Sequence, residues 1–135
     1  MSTVHALVQA AFCGNAAEVL SLLDLGVPID AQDGEGWNAL HAAIENEERE
    51  CISLLIKNGA DIARVVNGLT PLAHAVDISI DGTIQTGGSQ GDEPVDIVRY
   101  LLSVGADPLP GLIVAESYGS QKLIALLSAA EPRYR

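Results

Sequence analysis

The chain has 135 residues, of which 48% are hydrophobic and only 4% are aromatic. Seven basic and 18 acidic side chains give a formal net charge of −11, and a field of this sign repels nucleic acid and anionic membrane surfaces. The length suits a single domain over 1–135, and the scarcity of aromatic residues favours helices over a β-sandwich, so we expect an all-α fold.

The apolar runs and the cysteines indicate a cellular location. No apolar run reaches the roughly 18 residues of a membrane span, and the first residues are too polar for an export signal. Cys13 and Cys51 have neither metal-ligand nor redox spacing, which favours two reduced, buried thiols over a disulfide. The sequence therefore predicts a cytoplasmic protein.

Read in chain order, the sequence repeats itself. Apolar runs of similar composition begin at four leucines, the first three of them 33 and 32 residues apart: Leu7, Leu40, Leu72 and Leu112. Three glycines stand where a residue with positive φ ends the second helix of a unit: Gly26, Gly59 and Gly105. Thr70 followed by Pro71 is typical of a helix start, because the hydroxyl caps free N–H groups and proline loses no hydrogen bond there. These signals predict successive helix pairs.

The second unit, "DGEGWNALHAAIENEERECISLLIKNGAD", and the third, "NGLTPLAHAV" followed later by "VDIVRYLLSVGAD", resemble the ankyrin repeat family. The first and last units keep less of its pattern, as terminal repeats do. The resemblance implies a solenoid of stacked helix-turn-helix units, with repeats over about 2–32, 33–64, 65–108 and 109–131.

The third unit contains an insertion, 78–91, where its first helix should turn into its second. "ISI", Asp-Gly and "TIQ" alternate as a tight hairpin does, which predicts a small β-hairpin from Ile78 to Gln85 and a flexible tether after it. A lone hairpin leaves the isoleucines Ile78, Ile80 and Ile84 partly exposed to a partner or to a second copy. A surface insertion without a function is the alternative.

The same segment also matches part of a calcium-binding loop. Asp77, Ser79, Asp81 and Gly82 have its spacing, but Gly88 stands where the strongest carboxylate belongs. We therefore expect no metal. No motif of a nucleophile, a phosphate loop or a zinc enzyme occurs, so we expect neither catalysis nor a cofactor.

The histidines have structural interpretations. The resemblance implies that His41 bridges neighbouring turns. His74 lies one residue beyond the equivalent position in the next unit, so we expect a partly exposed residue there.

The resemblance implies a binding surface made by the tips of the turns and the ends of the first helices. Carried over by position, it contains Phe12, Glu35, Trp37, Glu45, Asn46, Asn67, Leu69, Asp77, Ile78 and Tyr118, and the insertion adds Ile80, Asp81 and Ile84. A tryptophan among carboxylates suits a basic partner protein.

We therefore predict a protein that is monomeric when free and binds a basic partner protein. More specifically, small size and acidity suggest an immunity or antitoxin-type inhibitor of a bacterial toxin. A structural protein that dimerises through the inserted hairpin is the alternative.

Overall fold

The computed structural model describes residues 3–88 and 94–130. Over these ranges the chain forms eight α-helices, so the predicted all-α fold is confirmed. They belong to two compact units, Met1–Gly68 and Leu69–Arg135. Among the described residues, no helix combines the length and the apolar character needed to cross a membrane. The assignment of 1–135 to one domain and the repeat boundaries stay predictions.

The first unit contains two pairs of short helices: α1 (Thr3–Phe12), α2 (Ala16–Asp24), α3 (Ala39–Glu45) and α4 (Arg49–Lys57). Helix α1 packs against α2 and α3, and α4 packs against α3 and α2. Leu7, Leu40 and Leu55 are fully buried in this core. After α2 and α4, Gly26 and Gly59 have φ of 94° and 97°, which confirms that left-handed residues end these helices.

Polar groups connect the turns of the first unit. His41 is 1% exposed, and its Nε2 lies 2.9 Å from the carbonyl oxygen of Arg64 in the turn after α4. Asp30, in the turn after α2, accepts a hydrogen bond of 2.9 Å from the backbone N–H of Asp61. The predicted bridging role of His41 is therefore confirmed.

The second unit contains α5 (Pro71–Gln85), α6 (Asp96–Ser103), α7 (Pro108–Tyr118) and α8 (Gln121–Ala129). Helix α5 packs against α6 and α7, and α7 packs against α8. As predicted, Thr70 caps α5 by accepting a hydrogen bond from the N–H of Ala73 (3.2 Å), with Pro71 in the first turn. Only four residues separate α6 from α7, and the last of them, Asp107, accepts from the N–H of Leu109 (3.1 Å).

The predicted β-hairpin from Ile78 to Gln85 is wrong, because α5 continues through all of these residues. Ile80 follows the buried Val76 by four residues and is 5% exposed, so it extends the apolar face of the helix. Asp81, the first residue of the Asp-Gly pair that predicts a turn, instead accepts a hydrogen bond from Gln85 Nε2 (2.7 Å), four residues further along the helix. Helical burial therefore outweighs the local turn signal. Residues 89–93 of the predicted tether lie outside the described residues.

The helix also changes the interpretation of the calcium-loop pattern. Asp77 and Asp81 lie one helical turn apart, whereas Ser79 is buried and donates its hydroxyl hydrogen to the carbonyl oxygen of Pro94 (2.5 Å). The three residues therefore do not form the loop that the pattern requires.

Two smaller expectations are wrong. His74 is 5% exposed and belongs to the core of the second unit instead of its surface. Cys13 is exposed, and only Cys51 is buried; both thiols are free. Burial raises the pKa of the Cys51 thiol, and the negative charges of Glu48 and Glu50 raise it further.

We predict that Gly82→Ala stabilises the protein by about 0.5–1 kcal/mol, since alanine is the better residue inside an exposed helix. A methyl group there meets nothing within 4 Å. Gly87→Ala is the matched control, because Gly87 also has free space but a φ of 78°, and it should destabilise. Urea unfolding measures both changes. A loss of stability with Gly82→Ala would support the hairpin instead.

We also predict that Asn38→Thr stabilises the protein by about 1 kcal/mol. Asn38 is 1% exposed; its Oδ1 caps α3 by accepting from the N–H of His41 (2.9 Å), but its Nδ2 has no hydrogen-bond partner in the described part of the chain. Threonine keeps a cap oxygen, as at Thr70, and replaces the two N–H donors of the amide with one hydroxyl hydrogen that can rotate toward an acceptor.

The control for this change is Asn15→Thr, at the exposed cap of α2, where no stabilisation is expected. Thermal or urea unfolding compares the two variants. Equal effects at both positions would show that the buried amide of Asn38 carries no cost.

Candidate functional site

The first unit contains a groove between α1, α3 and the turn that precedes α3, with a volume of about 230 Å³. We call it the acidic groove. Its apolar lining comes from Val8, Phe12, Trp37 and Ala42, and its polar lining comes from His5, Gln9, Asp33, Glu35 and Glu45. It brings together four residues predicted to bind a partner: Phe12, Glu35, Trp37 and Glu45.

Asp33 shapes the turn that carries two of these residues. Its Oδ1 accepts hydrogen bonds from the backbone N–H groups of Glu35 (2.9 Å) and Trp37 (3.0 Å). Its own N–H donates to the carbonyl oxygen of Trp37 (2.8 Å). Gly36 has a φ of 88°, which glycine adopts without strain. The backbone therefore presents Glu35 and Trp37 in a defined position.

The charge in the acidic groove is negative. Among the described residues that line it, three are carboxylic acids and none is lysine or arginine. His5 Nδ1 lies 3.7 Å from Asp33 Oδ2, and the Asp33 side chain is almost fully buried. Glu35 and Glu45 are exposed, as is Phe12 at 39%. The groove therefore suits a ligand that combines a positive charge with apolar surface.

Asn46 has a structural contact beside the groove. Its Nδ2 donates to the carbonyl oxygen of Phe12 (2.8 Å) and to Glu48 Oε2 (3.0 Å). It thereby joins the end of α1 to the turn after α3. Asn67 lies on an exposed turn with a φ of 52°, outside the lining of the groove.

The other predicted site residues lie in the second unit. Tyr118 donates its hydroxyl hydrogen to Asp77 Oδ1 (2.8 Å), so these two residues contact each other. Ile84 is 59% exposed, Leu69 and Ile78 are half-buried, and Asp81 bonds to Gln85. Ile80 is buried and offers no surface to a partner, which corrects its place among the site residues.

Sequence reasoning missed five of the lining residues: His5, Val8, Gln9, Asp33 and Ala42. The signal for two of them was the helical spacing on α1, since His5 and Val8 precede Phe12 by seven and four residues and therefore share its face. Asp33 is recognisable as a turn residue, but nothing local shows that it lies next to His5.

A family profile described as "Ankyrin repeats (3 copies)" matches residues 7–111. This chain belongs to the ankyrin repeat family. The repeat architecture of this family serves protein–protein interaction. The recognition of the family from the sequence is confirmed.

Relatives with this architecture include mouse nuclear factor NF-kappa-B p105 subunit, 36% identical over 107 residues, or 76% of this chain and 10% of that protein. Mouse protein phosphatase 1 regulatory subunit 27 is 39% identical over 82 residues, 60% of this chain and 44% of that protein. Human B-cell lymphoma 3 protein is 40% identical over 112 residues, 64% of this chain and 25% of that protein. The match thus spans less than half of each relative's length.

The contact between Tyr118 and Asp77 predicts that the Tyr118 hydroxyl titrates at a raised pH. The hydrogen bond to Asp77 raises the pKa of Tyr118 above 10.0, and burial and the charges of Asp77 and Asp81 raise it further. Asp77→Asn keeps an oxygen acceptor but removes a charge, so the pH midpoint of the Tyr118 titration should fall. Ultraviolet absorbance in a background of Tyr100→Phe and Tyr134→Phe measures it.

The sign for stability follows from the same shift. Since the pKa is higher in the folded state, this contact contributes fully below pH 10.0 and its contribution is lost as the pH rises through the folded pKa. Glu116→Gln is the control on α7, because Glu116 is not among the causes of the shift. An unchanged midpoint in Asp77→Asn would contradict the assignment.

Proposed function

We propose that the chain is a noncatalytic binding module that captures a partner protein through a basic segment bound in the acidic groove. One observation carries the proposal: two aromatic rings and three carboxylates line the same groove, on a chain with a net charge of −11. Negative potential speeds the approach of a positive partner, and the aromatic rings supply contact area once it has arrived.

The arrangement of the groove favours a protein ligand over an inorganic cation. Val8 and Ala42 are buried apolar lining, which has no affinity for a hydrated ion. The stems of basic side chains are apolar and pack against such surfaces while the charged end meets a carboxylate. Exposed Glu35 and Glu45 are the carboxylates best placed to meet that charge.

The relatives' names support a role in larger assemblies, since two of them are called subunits. The narrower proposal of an immunity or antitoxin-type inhibitor is supported by acidity alone. The cytoplasmic location and the monomeric free state also stay predictions. The alternative of a dimer formed by the inserted hairpin loses its basis, because residues 78–85 are helical and provide no strand edge.

Trp37 is the only tryptophan, so its fluorescence reports on the acidic groove directly. We expect a saturable change in its emission when a synthetic peptide rich in lysine and arginine is added at low ionic strength, and none with an acidic peptide. The combined variant Glu35→Gln and Glu45→Gln should weaken binding about tenfold, because two charge pairs are lost. Added salt should weaken binding too.

The matched control is Glu18→Gln with Asp24→Asn, which removes the same charge from exposed positions on α2. It should change the affinity little. Equal weakening by both double variants would show that net charge, and not the groove, holds the peptide. Absence of any saturable change in the unsubstituted protein would contradict the proposal.

A further inference from the structure

We infer that the acidic groove selects arginine over lysine, so that the anchor of the partner is a guanidinium group. This inference rests on the proposed function and names the chemistry of its ligand. It follows from three properties of the groove: an aromatic ring on a hydrogen-bonded turn, carboxylates from two elements of structure, and a buried apolar lining.

The first property is the aromatic ring of Trp37. The backbone N–H and carbonyl groups of Trp37 are both hydrogen-bonded to Asp33, at 3.0 and 2.8 Å, and the residue is half-buried. These bonds order the turn that carries the ring, so little backbone freedom is lost when a ligand stacks on the ring. A planar guanidinium stacks on an aromatic face, whereas a lysine ammonium attracts the ring only as a compact charge.

The second property is the origin of the carboxylates. Glu35 lies on the turn before α3, and Glu45 is the last residue of that helix, so the two approach the groove from different elements. Guanidinium carries five N–H donors in a plane, which serve acceptors on separate sides at once. An ammonium group has three donors on a single nitrogen.

The third property is the apolar lining. Val8 and Ala42 are 5% and 2% exposed, and Phe12 adds a further apolar wall. A cation that enters must give up water on this side. Ammonium is hydrated more strongly than guanidinium, so lysine has the larger cost.

Trimethylated lysine is also weakly hydrated and is attracted to aromatic rings. It has no N–H group, however, so it cannot donate a hydrogen bond to the carboxylates of Glu35 and Glu45. The carboxylates therefore favour arginine over the methylated ammonium, and a trimethyllysine peptide is a direct comparison.

The test uses three fluorescein-labelled peptides of identical glycine and serine sequence, with three evenly spaced residues that are arginine, lysine or trimethyllysine. Fluorescence anisotropy at low ionic strength measures their affinity for the full chain. We expect the arginine peptide to bind about three- to tenfold more tightly than either of the others.

Two variants separate stacking from general charge attraction. Trp37→Leu should bring the affinities for arginine and lysine peptides close to each other while both still bind, because the carboxylates remain. Phe12→Leu is the second variant, at an exposed position that tolerates leucine, and should reduce the same ratio. A ratio unchanged in both variants would overturn the stacking role.

The outcomes distinguish this inference from the proposed function. Equal affinity of the unsubstituted chain for arginine and lysine peptides, both weakened by Glu35→Gln with Glu45→Gln, overturns arginine selection and supports the proposed function. Trimethyllysine binding as tight as arginine binding overturns recognition through N–H donors. Failure of all three peptides to bind overturns both proposals.

Discussion

Short helices are the constraint on which this protein depends. Over residues 3–68 no helix exceeds ten residues, and isolated helices of that length do not persist in water. Each helix is therefore stable only through burial against its neighbours, around residues such as Leu7, Leu40 and Leu55. The turns between helices need support of another kind, since they bury few apolar groups. His41 and Asp30 provide it by bonding to backbone groups of the turn after α4.

The same constraint explains what the sequence predicts well and what it does not. Helix ends are local, so Gly26, Gly59 and the pair Thr70 and Pro71 were recognisable from their neighbours in the chain. The continuation of α5 is not local. It buries Ile80, and it brings the Ser79 hydroxyl to the carbonyl oxygen of Pro94, 15 residues further along the chain. No pattern within 78–85 contains this information.

The acidic groove also has a part that the sequence predicts and a part that it does not. Phe12, Glu35, Trp37 and Glu45 were predicted separately, from the positions that the family uses for binding. Their assembly into one groove arises because α1 packs against α3, and it draws in His5, Val8 and Asp33 from the intervening surfaces. Asp33 has two tasks, since its carboxylate both shapes the turn and adds charge to the groove. A residue with both tasks is hard to recognise from sequence because either role alone would explain it.

The two cysteines differ in a way that has a practical consequence. Cys13 directly follows Phe12 and is exposed, whereas Cys51 is buried and its thiol pKa is raised. Thiolate is the reactive form, so a maleimide reagent at neutral pH attaches to one site without any engineering of the chain. That site adjoins Phe12 at the margin of the groove. A photoactivatable cross-linker carried there would reach whatever occupies the groove and convert a transient encounter into a covalent adduct that mass spectrometry identifies.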